Sequence, residues 1–329
     1  MSRARSDSSV TLTRAVVPRP ESGLSAVPWH RPLLGLAIAM TVLAAVAVIG
    51  LIADPRTVTG LLLWSKPLKF ALSITIYAVT LSWLIGQLQR GRRLAWWAGT
   101  VSAVLLLVEM IIIVGAALAG TTSHFNVATP FATTMWAIMA TSIAVVWVAA
   151  LVVAVLLMRA RLGDRARTLA IRAGVVIAVI GMGLGYLMTG PTAEQLDDFQ
   201  GIAGAHTVGL ADGGPGLPIL GWSTVAGDLR IPHFVGMHAL QLLPLAAVLF
   251  ELLARRMPRL QSSAVRARLL GVLIALYAGV LVLLTGQALA GQSIVRPDAT
   301  TLTIAVTLYA LAAVAATIIL ARQPRRGVL

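Results

Sequence analysis

The sequence contains no cysteine. That excludes disulfides, thiolate-held iron–sulfur clusters and the C-x-x-C-H attachment of c-type haem. Charge is scarce as well: 12% of the 329 residues are Asp, Glu, Lys or Arg, against about 25% in soluble domains. Acids are the scarcer sign, 12 against 26 bases, while 58% of residues are hydrophobic. The apolar residues fall into long runs, as in chains that place their surface in lipid. No basic run is interleaved with aromatics, so the net charge of +14 outlines no nucleic-acid surface. Arginines flanking membrane spans account for it.

A bilayer core needs about 20 apolar residues of helix. Eight stretches qualify: Leu33–Ala53, Pro67–Gln87, Ala95–Ala119, Phe131–Met158, Leu169–Gly190, Pro232–Leu253, Leu269–Ala290 and Thr300–Leu320. Of the 26 Lys and Arg residues, 20 lie before the first span, after the last, or at alternate connections, and Arg172 lies just inside the fifth span on the same side; the exceptions are Arg56, Lys66, Lys69, Arg230 and Arg296. The positive-inside rule then places both termini in the cytoplasm, which an even number of spans allows. The expected fold is an all-α polytopic bundle of eight transmembrane helices. Residues 1–31, rich in Ser, Arg and Pro, are expected to be a disordered cytoplasmic segment. Residues 32–321 form the membrane domain and 322–329 a short tail. No A-x-A site follows the first apolar run, so that run reads as an uncleaved anchor.

The longest connection, residues 191–231, carries five acids and, with its Gly213–Pro218 Gly/Pro run and Trp222, reads as a partly ordered cap over the outer mouth. A faint repeat pairs Gly115-Ala-Ala-Leu-Ala-Gly120 with Gly286-Gln-Ala-Leu-Ala-Gly291, and Pro67-Leu-Lys-Phe70 with Pro232-His-Phe234. The spans would then form two parallel four-helix halves, an arrangement in which sites lie between the halves.

Polar residues concentrate at the outer ends. His238 and Gln241, three apart, share one stripe of the sixth span and should face the bundle rather than lipid. His233 is five residues before His238, about 140° around the helix, so the two cannot chelate one ion as an i, i+4 pair does. Pro232 suits the first helical position. Glu109 lies inside the third span, where an isolated carboxylate is costly and must be protonated, paired or bound to a cation. Lys69, a turn into the second span, is its expected partner or an anion site, while Lys66 is expected to snorkel to the interface. Gln287 and Gln292 could add donors. His124, just beyond the third span, would have to fold back to reach His238. His206 is expected to be solvated in its acidic loop, and His30, beside Trp29, to lie at the cytoplasmic interface. Gly181-Met-Gly-Leu-Gly185 follows no strand, so it reads as a close helix-packing face, not a dinucleotide loop. Each polar residue also has a purely structural reading: a histidine bridging helices, or Glu109 and Lys69 as a plain ion pair.

These residues point first to a b-type haem or transition-metal protein, with a role in membrane redox chemistry. His238, His124, His233 and Met237 are the axial candidates. A variant places a metal ion among His238, His124 and Glu109, with Gln241 behind them. The alternative is a transporter of a small solute or proton that uses a polar pocket of Glu109, Lys69, Lys66, Gln241 and Gln287. A third is a structural subunit of a membrane complex. The partners expected are the bilayer and either a redox protein or a second copy.

The segments Trp64-Ser-Lys-Pro-Leu-Lys-Phe-Ala-Leu-Ser73, Ser123-His-Phe-Asn126 and Pro232-His-Phe-Val-Gly-Met-His-Ala-Leu-Gln241 resemble a group of bacterial multi-span proteins of unassigned activity. The resemblance covers residues 64 to 245. It implies a bacterial inner membrane and the same span count, and transfers no catalytic residue.

Overall fold

A computed structural model describes residues 27–322. The expected disordered leader lies outside these residues through position 26, as does the tail from 323. Among the described residues, eight helices are long and apolar enough to cross a membrane. They are α1 (Arg31–Ala53), α2 (Ser65–Gly86), α3 (Arg92–Leu118), α4 (Pro130–Arg159), α5 (Arg165–Leu184), α7 (Arg230–Leu253), α8 (Ser263–Leu289) and α9 (Ala299–Ala321). Thr129, Asp164 and Asp298 cap α4, α5 and α9 by accepting from backbone N–H groups of the first turn.

Several helices begin earlier than expected, α8 at Ser263 instead of Leu269 and α5 at Arg165 instead of Leu169, and two further shifts bear on the site. The fifth span ends as α-helix at Leu184 and tightens into a 3₁₀ turn, Gly185–Met188, after the glycine run. The sixth begins at Arg230, so Pro232 is the third helical residue rather than the first. Asp228 brings this about by accepting from the Arg230 N–H at 3.0 Å and from its guanidinium.

The first connection holds a two-residue hairpin, β1 (Thr57–Val58) with β2 (Leu61–Leu62), Thr57 facing Leu62. The long loop contains a single helical turn, α6 (Ala193–Asp197), and a second small hairpin. There β3 (Thr207–Val208) pairs with β4 (Gly227–Asp228), Thr207 facing Asp228. The loop also bridges to the α3–α4 connection through Asn126 and Ile202. We call this end of the bundle the capped end and the opposite one the arginine-rich end. Arg266 pairs with Asp164, and Arg167 with Glu251, tying α5 to α8 and α7 at the arginine-rich end.

Packing follows the faint repeat. In the first half α1 packs most heavily on α2, α3 on α4, and α3 also touches α2 and α1. In the second half α5 packs most heavily on α7, α8 on α9, and α8 touches α7 and α5. The halves meet through α4 with α5 and, sparingly, through α2 with α7. The tightest helix contact lies within the second half, where a Cβ on Gly181 would sit 2.3 Å from the Gly236 backbone. This is the close-packing role expected of the glycine run. Large apolar residues such as Ile49, Leu245 and Val306 stay exposed on the outside, and no residue of α9 is buried, as suits a surface wetted by lipid.

His30 departs from expectation. It is 2% exposed, and its Nδ1 accepts from the Leu33 N–H to cap α1. Its Nε2 meets the Trp96 carbonyl at 2.9 Å and its N–H donates to Ser82. It is a buried helix cap, not an interfacial side chain.

Candidate functional site

A cavity of about 1450 Å³ lies between the halves at the capped end. α2, α3 and α4 wall one side, α5, α7 and Tyr277 of α8 the other, and the long loop roofs it. It collects Lys66, Lys69, Glu109, His124, His206, Asp212, Arg230, His233 and His238. A second pocket of about 160 Å³ continues toward the arginine-rich end, sharing Glu109, His233 and His238 with the first. It also touches Tyr77, Met237 and Gln241, then runs between buried apolar residues down to Leu81 and Leu157.

Glu109 lies at the junction. It is 1% exposed, and its Oε2 has no hydrogen-bond partner. The nearest basic nitrogen is Nε2 of His124, 3.9 Å from Oε1, too far for a hydrogen bond. His124 does fold back, over Glu109 rather than to His238. Its ring is held between Phe70 and Trp136, each with centroids 5.6 Å away. Lys66 Nζ lies 3.1 Å from His124 Nδ1. With Lys66 as an ammonium donor, Nδ1 accepts, as it also can from the Ser123 hydroxyl at 3.0 Å, and that arrangement puts the neutral ring's proton on Nε2, facing Glu109. Burial, then the charge of Lys66, hold the His124 pKa well below its ordinary 6.5.

Neither lysine takes the role expected of it. Lys66 turns inward to His124 instead of snorkelling to the interface. Lys69 does not reach Glu109; it donates to the Leu220 carbonyl of the roof at 2.7 Å. Arg230 joins them, held by the buried Asp228 and donating to the Gly221 carbonyl. Three basic side chains thus stand at the capped end of the cavity; Arg230 is paired with Asp228, Asp212 is paired with His206, and Glu109 lies below them.

The other three histidines each have Nδ1 engaged. In His233 it donates to the Gly181 carbonyl at 2.8 Å, and in His238 it lies 3.4 Å from Gln241 Oε1. In His206 it pairs with Asp212. His206 is thus a partly buried cavity residue packed on Phe125, not the solvated side chain expected. Burial lowers its pKa, against the raising effect of Asp212. Among the described residues no three His, Asp or Glu side chains converge as a metal-holding group, so His238, His124 and Glu109 are not brought together as one ligand set. Met237 and Gln241 lie in the inner pocket. Gln287 is not in the cavity; it is buried and donates to the Ser293 carbonyl at 3.0 Å, fixing the turn after α8, while Gln292 holds the cap residue Asp298.

Sequence reasoning missed Arg230, Asp212, Tyr77 and the aromatic walls Phe70, Phe125 and Trp136. Arg230 did carry a signal, as the lone base of an acidic connection. Phe125 carried none: it is buried at φ +64°, a conformation that few non-glycine residues hold outside sites where the surroundings impose it.

Comparison with protein-family models, with curated proteins and with solved structures finds no match to this chain.

Proposed function

We propose that this protein takes an organic anion into the cavity between its two halves and acts as a membrane transporter or carrier for it. One observation carries the reading: Lys66, Lys69 and Arg230 converge on one large cavity whose walls are otherwise mostly apolar. Asp228 already partners Arg230, whereas no carboxylate pairs with Lys66 or Lys69 among the described residues, and two such cations in a partly desolvated space repel one another unless an anion joins them. The position between parallel halves suits a transport site. The apolar inner pocket below Glu109 suits a closed gate on the far side of that site. By the arginine distribution the cavity faces outward, with both termini in the cytoplasm.

Binding of organic carboxylates to purified protein, followed by tryptophan fluorescence, tests the reading. Each charge-assisted hydrogen bond contributes about 1.5–3 kcal/mol. Lys69→Gln and Arg230→Gln should therefore each weaken binding by tenfold or more. Saturable binding untouched by either change would sink the proposal.

A second reading, haem b, is favoured by His233. Its Nδ1–H donates to a backbone carbonyl, the usual support of a ligating imidazole, and its Nε2 lone pair is left free. The three cations would meet the haem propionates. A Soret band in the purified protein, lost in His233→Ala, supports this reading; a colourless preparation that takes up no added haem removes it.

A further inference from the structure

Some residues that line the cavity also keep a large share of their surface exposed. Leu72 (52% exposed) and Ile76 on α2, and Leu242 (46% exposed) on α7, do both. At 1.5 Å per residue, Leu72 and Ile76 lie about 10 and 16 Å below the start of α2, and Leu242 about 18 Å below the start of α7. Lys66, Lys69 and Arg230 all lie within the first two turns of the same helices. Cationic groups thus stand at interface depth, with exposed apolar cavity residues of the same two helices at hydrocarbon depth below them. α2 and α7 touch only sparingly, whereas α1 with α2 and α5 with α7 pack along their lengths. The cavity is also larger than the roughly 300–1,000 Å³ that small solutes occupy.

We infer that the ligand is a single-chain amphiphile with an acidic head, entering sideways from the leaflet at the capped end through the gap between α2 and α7. The inference rests on the organic-anion reading above and names its substrate class. The head would sit among Lys66, Lys69 and Arg230 under the loop roof. The chain would leave past Leu72, Ile76 and Leu242 and stay in hydrocarbon throughout. Only the head is then desolvated, and the three cations offset that cost. A short water-soluble anion would gain nothing from the apolar gap.

The test uses full-length protein in zwitterionic nanodiscs and two photoactivatable probes, a dodecanoate with a diazirine in its tail and a butanoate analogue. The expected result is saturable cross-linking of dodecanoate to peptides carrying Leu72, Ile76 and Leu242. Unlabelled dodecanoate should compete and its methyl ester should not. Lys69→Gln should shift the cross-linking curve at least tenfold. Leu72→Trp, which narrows the gap, should weaken dodecanoate at least tenfold more than it weakens butanoate; Leu242→Phe serves if that variant elutes as an aggregate. Equal competition by ester and acid would mean that bulk lipid fills the gap, overturning the inference. Saturable butanoate labelling at Lys66 and Lys69 that dodecanoate does not displace would overturn lateral entry and leave the anion cavity standing. Saturable labelling by neither probe would overturn both.

Discussion

Lys66 and Lys69 lie three residues apart on the same helix face, and sequence alone could not say which of them goes where. Lys66 turns to His124 because the α3–α4 connection folds back beneath it; Lys69 reaches the roof because Leu220 hangs above it. Glu109 is the residue on which this arrangement bears most directly. A buried carboxylate with an unpartnered oxygen is destabilising, so replacement by an apolar residue of similar size should be neutral or stabilising. Glu109→Leu is expected to raise the midpoint of thermal unfolding in detergent by roughly 2 °C or more and to leave anion binding intact or tighter, because a carboxylate in the cavity repels an anion; a lowered midpoint together with lost binding would contradict this. His124 makes a pH prediction. Its folded pKa is depressed, so below about pH 6.5 the unfolded chain binds a proton that the folded chain refuses. Stability is full above that pH and falls as pH drops, by up to about 1.4 kcal/mol per unit for each such histidine. Thermal midpoints at pH 7.5 and 5.0 should differ in the native chain, and less in His124→Gln.

At the scale of elements, the α5–α7 contact depends on the absence of a side chain. Gly181→Ala places a methyl against the Gly236 backbone and should push the helices apart, at a cost of about 1–3 kcal/mol. Gly115→Ala in α3 meets nothing within 4 Å and gains helix propensity, so it should be neutral or stabilising by up to about 1 kcal/mol. Detergent-denaturation midpoints of the two variants should therefore move in opposite directions, and an equal shift would mean that Gly181 does not mark the packing face. The span boundaries were legible because an apolar helix in lipid is defined by its own composition. The start of α7 was misjudged because Pro232 suggested an initiation point, while the buried Asp228, whose position depends on the loop, sets it two residues earlier.

For the whole molecule, absence of cysteine makes orientation directly testable. Gly214→Cys, in the roof, should react with a membrane-impermeant maleimide in intact cells. Arg161→Cys, at the arginine-rich end, should react only after permeabilisation. The opposite pattern would reverse the orientation read from the arginines. The Gly115–Gly120 and Gly286–Gly291 segments hinted at a repeat, and the helices of residues 31–159 and 165–321 do pack on one another in the same order.

Sequence by itself determined the solvent of this protein, its eight spans and the concentration of polar groups toward one end. Each of these follows from local composition and helical period, which do not depend on what packs against what. Tertiary structure decided which polar groups meet. It paired Lys66 with His124 and not Glu109, drew His206 and Arg230 into the cavity and turned Gln287 away from it. Those contacts join residues far apart in the chain across connections that fold back, and no periodicity within a span encodes the path of a loop.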